Sequence, residues 1–212
     1  MRSFRHWTPT YVRDRVALAV RQQRRPEEPW LTASAVEVLA SWLRASDVGL
    51  ELGSGRSTSW FARRVARLIS VEHDETWFRR VSEQLRTRGL ADRVDYRLCV
   101  DGRNGAPDSS YVRVIAGVED GSLNFALVDG VARDHCALAL IDKLEPGGLL
   151  VVDNINWFYP RQQKSRAPAS RSRADGFESP EWEAFDRRVS TWRVIWTTDG
   201  ICDTALWVKP ST

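Results

Sequence analysis

Along the chain, short apolar runs alternate with longer stretches whose apolar residues recur at helical spacing. Val12, Val16, Ala19 and Val20 predict a helix over residues 9–24, which Pro26 and Pro29 stop. Ser34 and Glu37 have the spacing of a capping box, and Val36, Leu39 and Leu43 form one face of a second helix. Both helices are expected on the sheet edge or over a ligand cleft. Trp30 and Leu31 lie between them, as a hydrophobic staple or as cleft wall. An apolar run from residue 48 ends at Glu51-Leu52 and reads as a strand, followed by a helix with Phe61 and Val65 inward.

The same alternation continues. Residues 68–72 read as a strand ending in Glu72, and 75–88 as a helix with Phe78, Val81 and Leu85 inward and Gly89 as its stop. Residues 94–98 alternate as a strand, and 111–117 form a short helix. Residues 123–128 are a buried strand running into Asp129. Ala137, Leu140, Ile141 and Leu144 mark a helix, and Pro146-Gly147-Gly148 turns into a further strand ending at Asp153-Asn154. Ser179-Pro180 starts a last helix carrying Trp182, Phe185 and Val189. Residues 193–197 and 203–208 form a final hairpin around Thr198-Asp199-Gly200. Apolar strands between amphipathic helices predict an α/β fold with a seven-stranded mixed sheet. That sheet is mostly parallel, covered by helices on both faces, and closed by a C-terminal antiparallel hairpin.

The chemistry concentrates at residues 47–58. A strand, a Gly53-x-Gly55 turn and a helix opening with Ser57-Thr58 let the backbone approach a ligand closely. The same turn offers N–H groups at a helix start. A dinucleotide fingerprint wants glycine where Thr58 stands. Glu51 at the strand end would repel a pyrophosphate and suits a ligand bearing an ammonium group. Glu51-x-Gly53-x-Gly55-x-Ser57 resembles the first motif of class I S-adenosylmethionine (SAM)-dependent methyltransferases, with Ser57 where a third glycine is usual.

That resemblance implies a Rossmann-like methyltransferase domain over residues 1–212. Residues 1–46 would form a helical cap, 47–154 the SAM-binding core, 155–180 a lid loop, and 181–212 a C-terminal helix and hairpin. Glu51, Gly53, Ser54, Gly55, Ser57, Glu72, His73, Asp101 and Asp129 are the expected SAM-binding residues. Glu72 would accept the ribose hydroxyls, and Asp101 the adenine amino group or else only a turn. His73 or Asp74 would flank the adenosine.

Val128-Asp129-Gly130 and the run from Pro146 to Asn154 look like the metal-dependent catechol and caffeoyl-CoA type O-methyltransferases. By that match Asp129, Asp153 and Asn154 would hold Mg²⁺, as oxygen donors suited to a hard cation. The catalytic lysine of that family is replaced here by Ala132, and Arg133 is too basic to take a proton. Asp129 and His135 are therefore the catalytic candidates. The other reading of the acids is that Asp129 contacts SAM or substrate directly while Asp153-Asn154 cap the strand end.

Composition changes this picture little. The 212 residues suit one domain, and 42% hydrophobic with 28% charged residues is ordinary for a globular chain. A net charge of +3, nearly all of its basic part arginine, is no nucleic-acid signature by itself. Cys99, Cys136 and Cys202 show no metal or disulfide spacing and read as reduced thiols. The first residues lack a signal-peptide run, and no apolar stretch is long enough to span a bilayer. A cytoplasmic setting without membrane association is expected. Trp157, Phe158 and Tyr159, with the five basic residues of 161–173, would form a lid that draws an anionic small-molecule acceptor.

The expected function is O-methylation of a small molecule, with or without the help of a divalent metal, by a chain that could pair as a homodimer. Two alternatives remain at this point. One is a metal-free enzyme acting on nitrogen, a glycan or another anionic acceptor. The other is a non-catalytic module binding SAM or nucleic acid. An NAD enzyme is disfavoured by Glu51 and Thr58.

Overall fold

The structure is a computed structural model that describes residues 8–104, 106–160, 167–168 and 170–211. Helices α1 (Pro9–Arg24) and α2 (Ala33–Trp42) precede β1 (Val48–Leu52), α3 (Arg56–Ala62), β2 (Arg67–Glu72), α4 (Glu75–Thr87) and β3 (Val94–Leu98). Then follow α5 (Ser110–Ala116), β4 (Leu123–Val128), α6 (Arg133–Leu140), β5 (Leu144–Asp153), α7 (Pro180–Val189), β6 (Arg193–Thr198) and β7 (Asp203–Val208). The sheet order is β3-β2-β1-β4-β5-β7-β6, parallel except for β7, which runs antiparallel to both β5 and β6. The α/β class, the strand count and the closing hairpin agree with the pattern of the sequence.

Side-chain parity divides the core. Leu50, Leu52, Val128, Leu150 and Val152 face α5, α6 and α7, together with Tyr111, Ile115, Cys136, Ala137, Trp182 and Phe185. Phe125, Leu127, Leu149 and Val151 face the other way, against Leu31, Ala35, Val36 and Leu39 on the α2 side and Trp60 and Phe61 of α3. Strands buried on both faces must be apolar throughout, which is why these runs read as continuous. Strand order reverses between β1 and β4, so the crevice beyond their carboxyl ends is the natural ligand position.

Several local expectations change. Helix α2 starts at Ala33 with Thr32 at its N-cap, so Ser34 and Glu37 form no capping box. Thr32 instead bonds the sheet, its N–H donating to Thr204 Oγ1 (3.3 Å) and its hydroxyl pairing with that of Thr197 (2.5 Å). No residue of α1 is buried. Trp30 is no staple: it is 53% exposed, with the Arg56 guanidinium 5.0 Å from its ring centroid. Leu144 starts β5 rather than ending a helix. Pro146-Gly147-Gly148 is an irregularity inside that strand, where pairing shifts from Leu123↔Leu144 to Phe125↔Leu149.

Two of the three clustered aromatics, Phe158 and Tyr159, pack against the core. Phe158 stacks on Trp182 (5.8 Å), and Tyr159 packs against Phe177, Trp182, Trp196 and Trp207. Trp157 alone of the three is exposed. Of the basic run, Arg161, Lys164 and Arg166 lie outside the described residues. Arg171 is a strut rather than an acceptor lure: its guanidinium donates to the carbonyls of Asp175, Gly176 and Phe177 at 2.7–3.2 Å. Among the described residues the three cysteines are free, and no helix is long and apolar enough to cross a membrane.

Candidate active site

A cleft of about 440 Å³ opens at the carboxyl ends of β1, β2 and β4. Gly53, Ser54, Glu72, His73, Asp74, Trp77, Asp129 and Gly130 line it, which is a size and polarity suited to a nucleoside-sized ligand. A larger polar pocket at the opposite end of the sheet, around Trp42, Asp47 and Asn124, lies away from these residues.

Each wall has a local cause. After β1 the chain must turn sharply, and Gly53 does so at φ +96°. A side chain there would lie 2.7 Å from Gly130 N and 2.8 Å from Asp129 C, so this turn seats directly on the β4 loop. Asp74 caps α4 by accepting from Trp77 N–H (2.8 Å), which places the indole over the turn. There Trp77 Nε1–H donates to Ser54 O (2.8 Å).

Glu72 is 3% exposed and fully engaged. Oε2 accepts from Ser54 N–H (3.1 Å) and the Ser54 hydroxyl (2.7 Å), while Oε1 accepts from the N–H groups of His73 (2.8 Å) and Asp74 (2.9 Å). Tyr96 lies 2.6 Å from the Ser54 hydroxyl and completes the network.

Five expected SAM residues thus line the cleft: Gly53, Ser54, Glu72, His73 and Asp129. Glu51 does not. Strand parity turns it under the glycine turn toward α3, where it is 0% exposed. Its Oε2 accepts from the hydroxyls of Thr58 (2.6 Å) and Ser70 (2.8 Å), and its Oε1 has no partner. Ser57 and Thr58 turn inward to the same carboxylate, and Thr58 Oγ1 accepts from Gly55 N–H (2.9 Å). Glu51 therefore braces the turn instead of meeting a ligand at the surface.

Burial raises the Glu51 carboxyl from 4.5 to about 7, against the lowering effect of the hydroxyls. A raised carboxyl stabilises the fold while protonated. Its contribution is whole below the ordinary value of 4.5 and is lost as pH climbs through 7. Glu51→Gln is expected to flatten the fall in stability between about pH 5 and pH 8, by roughly 3 kcal/mol at most. Urea midpoints for both proteins across that range check this, and an unchanged slope would refute it.

Asp101 also lies outside the cleft lining. It accepts from the N–H and hydroxyl of Ser110, and so fastens the start of α5. Those bonds hold its carboxyl below the ordinary range. His135 sits beside α7, where its ligating atom and those of Asp134 and Glu181 lie within 4.8 Å of one another. It is not among the residues that line the cleft.

The three expected metal ligands do not make a metal site. Asp153 points sideways along the sheet, where its Oδ1 accepts from Thr204 Oγ1 (2.5 Å). The space between Asp129 and Asn154 holds the Arg133 guanidinium. Its Nη2 donates to Asp129 Oδ1 and O (both 3.0 Å), and its Nη1 to Asn154 Oδ1 (3.1 Å) and the Asp153 carbonyl. A cation is already present among these oxygens, so Mg²⁺ finds no fit. Burial raises both aspartates, Asp153 to about 8, and Arg133 opposes the shift in each.

Trp77 and Gly130 were not singled out in the sequence as cofactor contacts. Trp77 could have been found as the aromatic three residues after a helix-capping acid at a strand end. Gly130 was visible only as part of an apparent metal motif.

Comparison with known proteins bears on the fold and the family. No curated protein matches the sequence. Among solved structures, the O-methyltransferase TomG of Streptomyces achromogenes, in complex with SAM, is 17% identical. It superposes with a TM-score of 0.58, covering 96% of this chain and 90% of that one. A putative rRNA methylase from Clostridium thermocellum is 15% identical with a TM-score of 0.58, over 84% and 94% of the two chains. A methyltransferase from Geobacter sulfurreducens is 14% identical with a TM-score of 0.54, over 93% and 89%. At such identities these likenesses establish the fold, that of class I methyltransferases. The sequence model of protein-L-isoaspartate(D-aspartate) O-methyltransferase matches residues 3–168. The chain belongs to the protein-L-isoaspartate(D-aspartate) O-methyltransferase family and is a SAM-dependent methyltransferase.

Proposed function

We propose that the chain methylates an oxygen that is already ionised at neutral pH, a carboxylate, without a metal or a general base. What carries this reading is the state of the bases at the cleft. Ala132 stands where the resemblance placed a lysine, His135 lies beside α7, and Asp129 already accepts from Arg133. An acceptor hydroxyl would need one of them to take its proton. A carboxylate needs none: its oxygen attacks the methyl carbon, the carbon–sulfur pair stays on sulfur, and a methyl ester and S-adenosylhomocysteine (SAH) leave. Opposite charges on sulfonium and carboxylate cancel as the methyl moves, so placement and water exclusion suffice. The name of the matching family, which puts the methyl on an aspartyl oxygen, supports the same choice.

In this reading Glu72 accepts the ribose hydroxyls, Trp77 and His73 flank the adenosine, and Asp129 faces the positive methionine end. Methyl-labelled SAM with a panel of isoaspartyl peptides, small dicarboxylic acids and catechols tests it. The expected product loses its label as methanol in mild alkali and forms equally well with EDTA present. An alkali-stable label would mean an ether or an N-methyl product, and so the small-molecule phenol or amine reading.

A further inference from the structure

We propose that Arg133 is a built-in replacement for a divalent cation: its guanidinium permanently fills the position between the ends of β4 and β5, closes that position to metal, and fixes Asp129 toward the cleft. This rests on the reading of the cleft as the methyl-transfer site.

The donor count is complete. A guanidinium has five N–H groups. Here Nε donates to Gly130 O (2.9 Å), Nη1 to Asn154 Oδ1 and Asp153 O, and Nη2 to Asp129 Oδ1 and Asp129 O. Every acceptor lies at the last residue of β5 or in the loops that follow β4 and β5. No nitrogen is left for a substrate, so Arg133 positions other groups and does not touch the acceptor itself.

Backbone strain points to the same spot. Among the described residues, two non-glycine residues lie in the left-handed region: Ala132 (φ +47°) and Asn154 (φ +51°). One immediately precedes Arg133, and the other presents an oxygen to it. Such conformations are costly for a residue with a side chain and persist where surrounding contacts require them. Phe158 covers the guanidinium, its ring centroid 5.8 Å from Cζ, and the side chain is only 13% exposed. Planar, always charged and held in a fork of fixed geometry, arginine can bridge two loops as a metal would. Unlike a metal, it leaves no coordination position open.

Mn²⁺ alone, followed by electron paramagnetic resonance on the full chain, tests this. The native protein is expected to leave Mn²⁺ free. Arg133→Ala exposes Asp129, Asn154 Oδ1 and the Asp153 carbonyl, so it should bind Mn²⁺ about tenfold more tightly than the native chain and gain melting temperature with it. Asp129→Asn/Arg133→Ala should lose that response. Stoichiometric Mn²⁺ on the native chain, abolished by Asp129→Asn, would overturn the proposal. So would an Arg133→Ala chain no more responsive than the native one. Should Arg133→Ala not fold, Arg133→Gln takes its place, with the same two outcomes. SAH calorimetry on the same samples separates the questions: a native chain that ignores SAH defeats the methyl-transfer reading, while the Mn²⁺ result still judges Arg133.

Discussion

Gly53→Ala is expected to destabilise the protein by about 3–5 kcal/mol, the sum of backbone strain and overpacking, and to abolish SAH binding. Two separate costs combine at this residue. Its φ of +96° lies where an L side chain is strained, and the added carbon would sit 2.7–2.8 Å from backbone atoms of Asp129 and Gly130. Those are main-chain atoms and cannot rotate away, so β1 and β4 must part. The loops that part carry Ser54 and Asp129, both on the cleft wall. Gly55→Ala is the control. That residue is in extended backbone, and a side chain would meet nothing nearer than Trp77 at 3.9 Å. It should fold with a loss of only about 0.5–1 kcal/mol, the margin by which glycine exceeds alanine at an N-cap. A loss of SAH affinity in Gly55→Ala without further loss of stability would show the ligand lying against that backbone. Denaturant midpoints and SAH calorimetry on both variants decide the matter, and a stable Gly53→Ala chain would contradict the account of the turn.

Both glycines looked alike in the sequence, and the difference between them shows what a sequence carries. Strand and helix order was legible because burial on two faces forces continuous apolar runs, and capping acids and hydroxyls such as Asp74 and Ser179 mark helix starts. How far each strand-end acid reaches toward a ligand was not legible. Glu51 is the last residue but one of β1, and Glu72 is the last of β2. Both point to the same face of the sheet, but Glu51 stops level with Ser70 on the neighbouring strand and is held there by Ser70 and by Thr58 seven residues on, whereas Glu72 lies two residues further along and reaches the cleft. Deciding between them requires the register of β1 against β2, which pairs Glu51 with Ser70.

Arg133 shows a second limit. Its spacing of four from Asp129 is that of a helical ion pair. Its link to Asn154, twenty-one residues away, depends on β4 and β5 lying side by side. The packing of Tyr159 was hidden for the same reason, since its partners Trp182, Trp196 and Trp207 come from distant elements. Local pattern reveals elements; the contacts that fix a site are mostly between them.

Glu72→Ala is expected to raise the Kd for SAH by about a hundredfold, the loss of two hydroxyl-to-carboxylate hydrogen bonds of about 1.5 kcal/mol each. In the free protein Ser54 already donates twice to Oε2, so a ribose must share or displace its hydroxyl. Alanine would also strand the N–H groups of Ser54, His73 and Asp74, and a part of its effect would be structural. Glu72→Gln separates the two contributions. It keeps one oxygen for the His73 and Asp74 N–H groups but turns an amide donor toward Ser54 and the ribose. Its stability should therefore fall by about 1 kcal/mol while SAH affinity drops about tenfold or more. Ser54→Ala leaves the carboxylate freer and should bind SAH at least as well as the native chain. Tight SAH binding by Glu72→Gln would move the ribose elsewhere in the cleft. The acid at the end of β2 would then be only a brace for the turn, as Glu51 is one strand over.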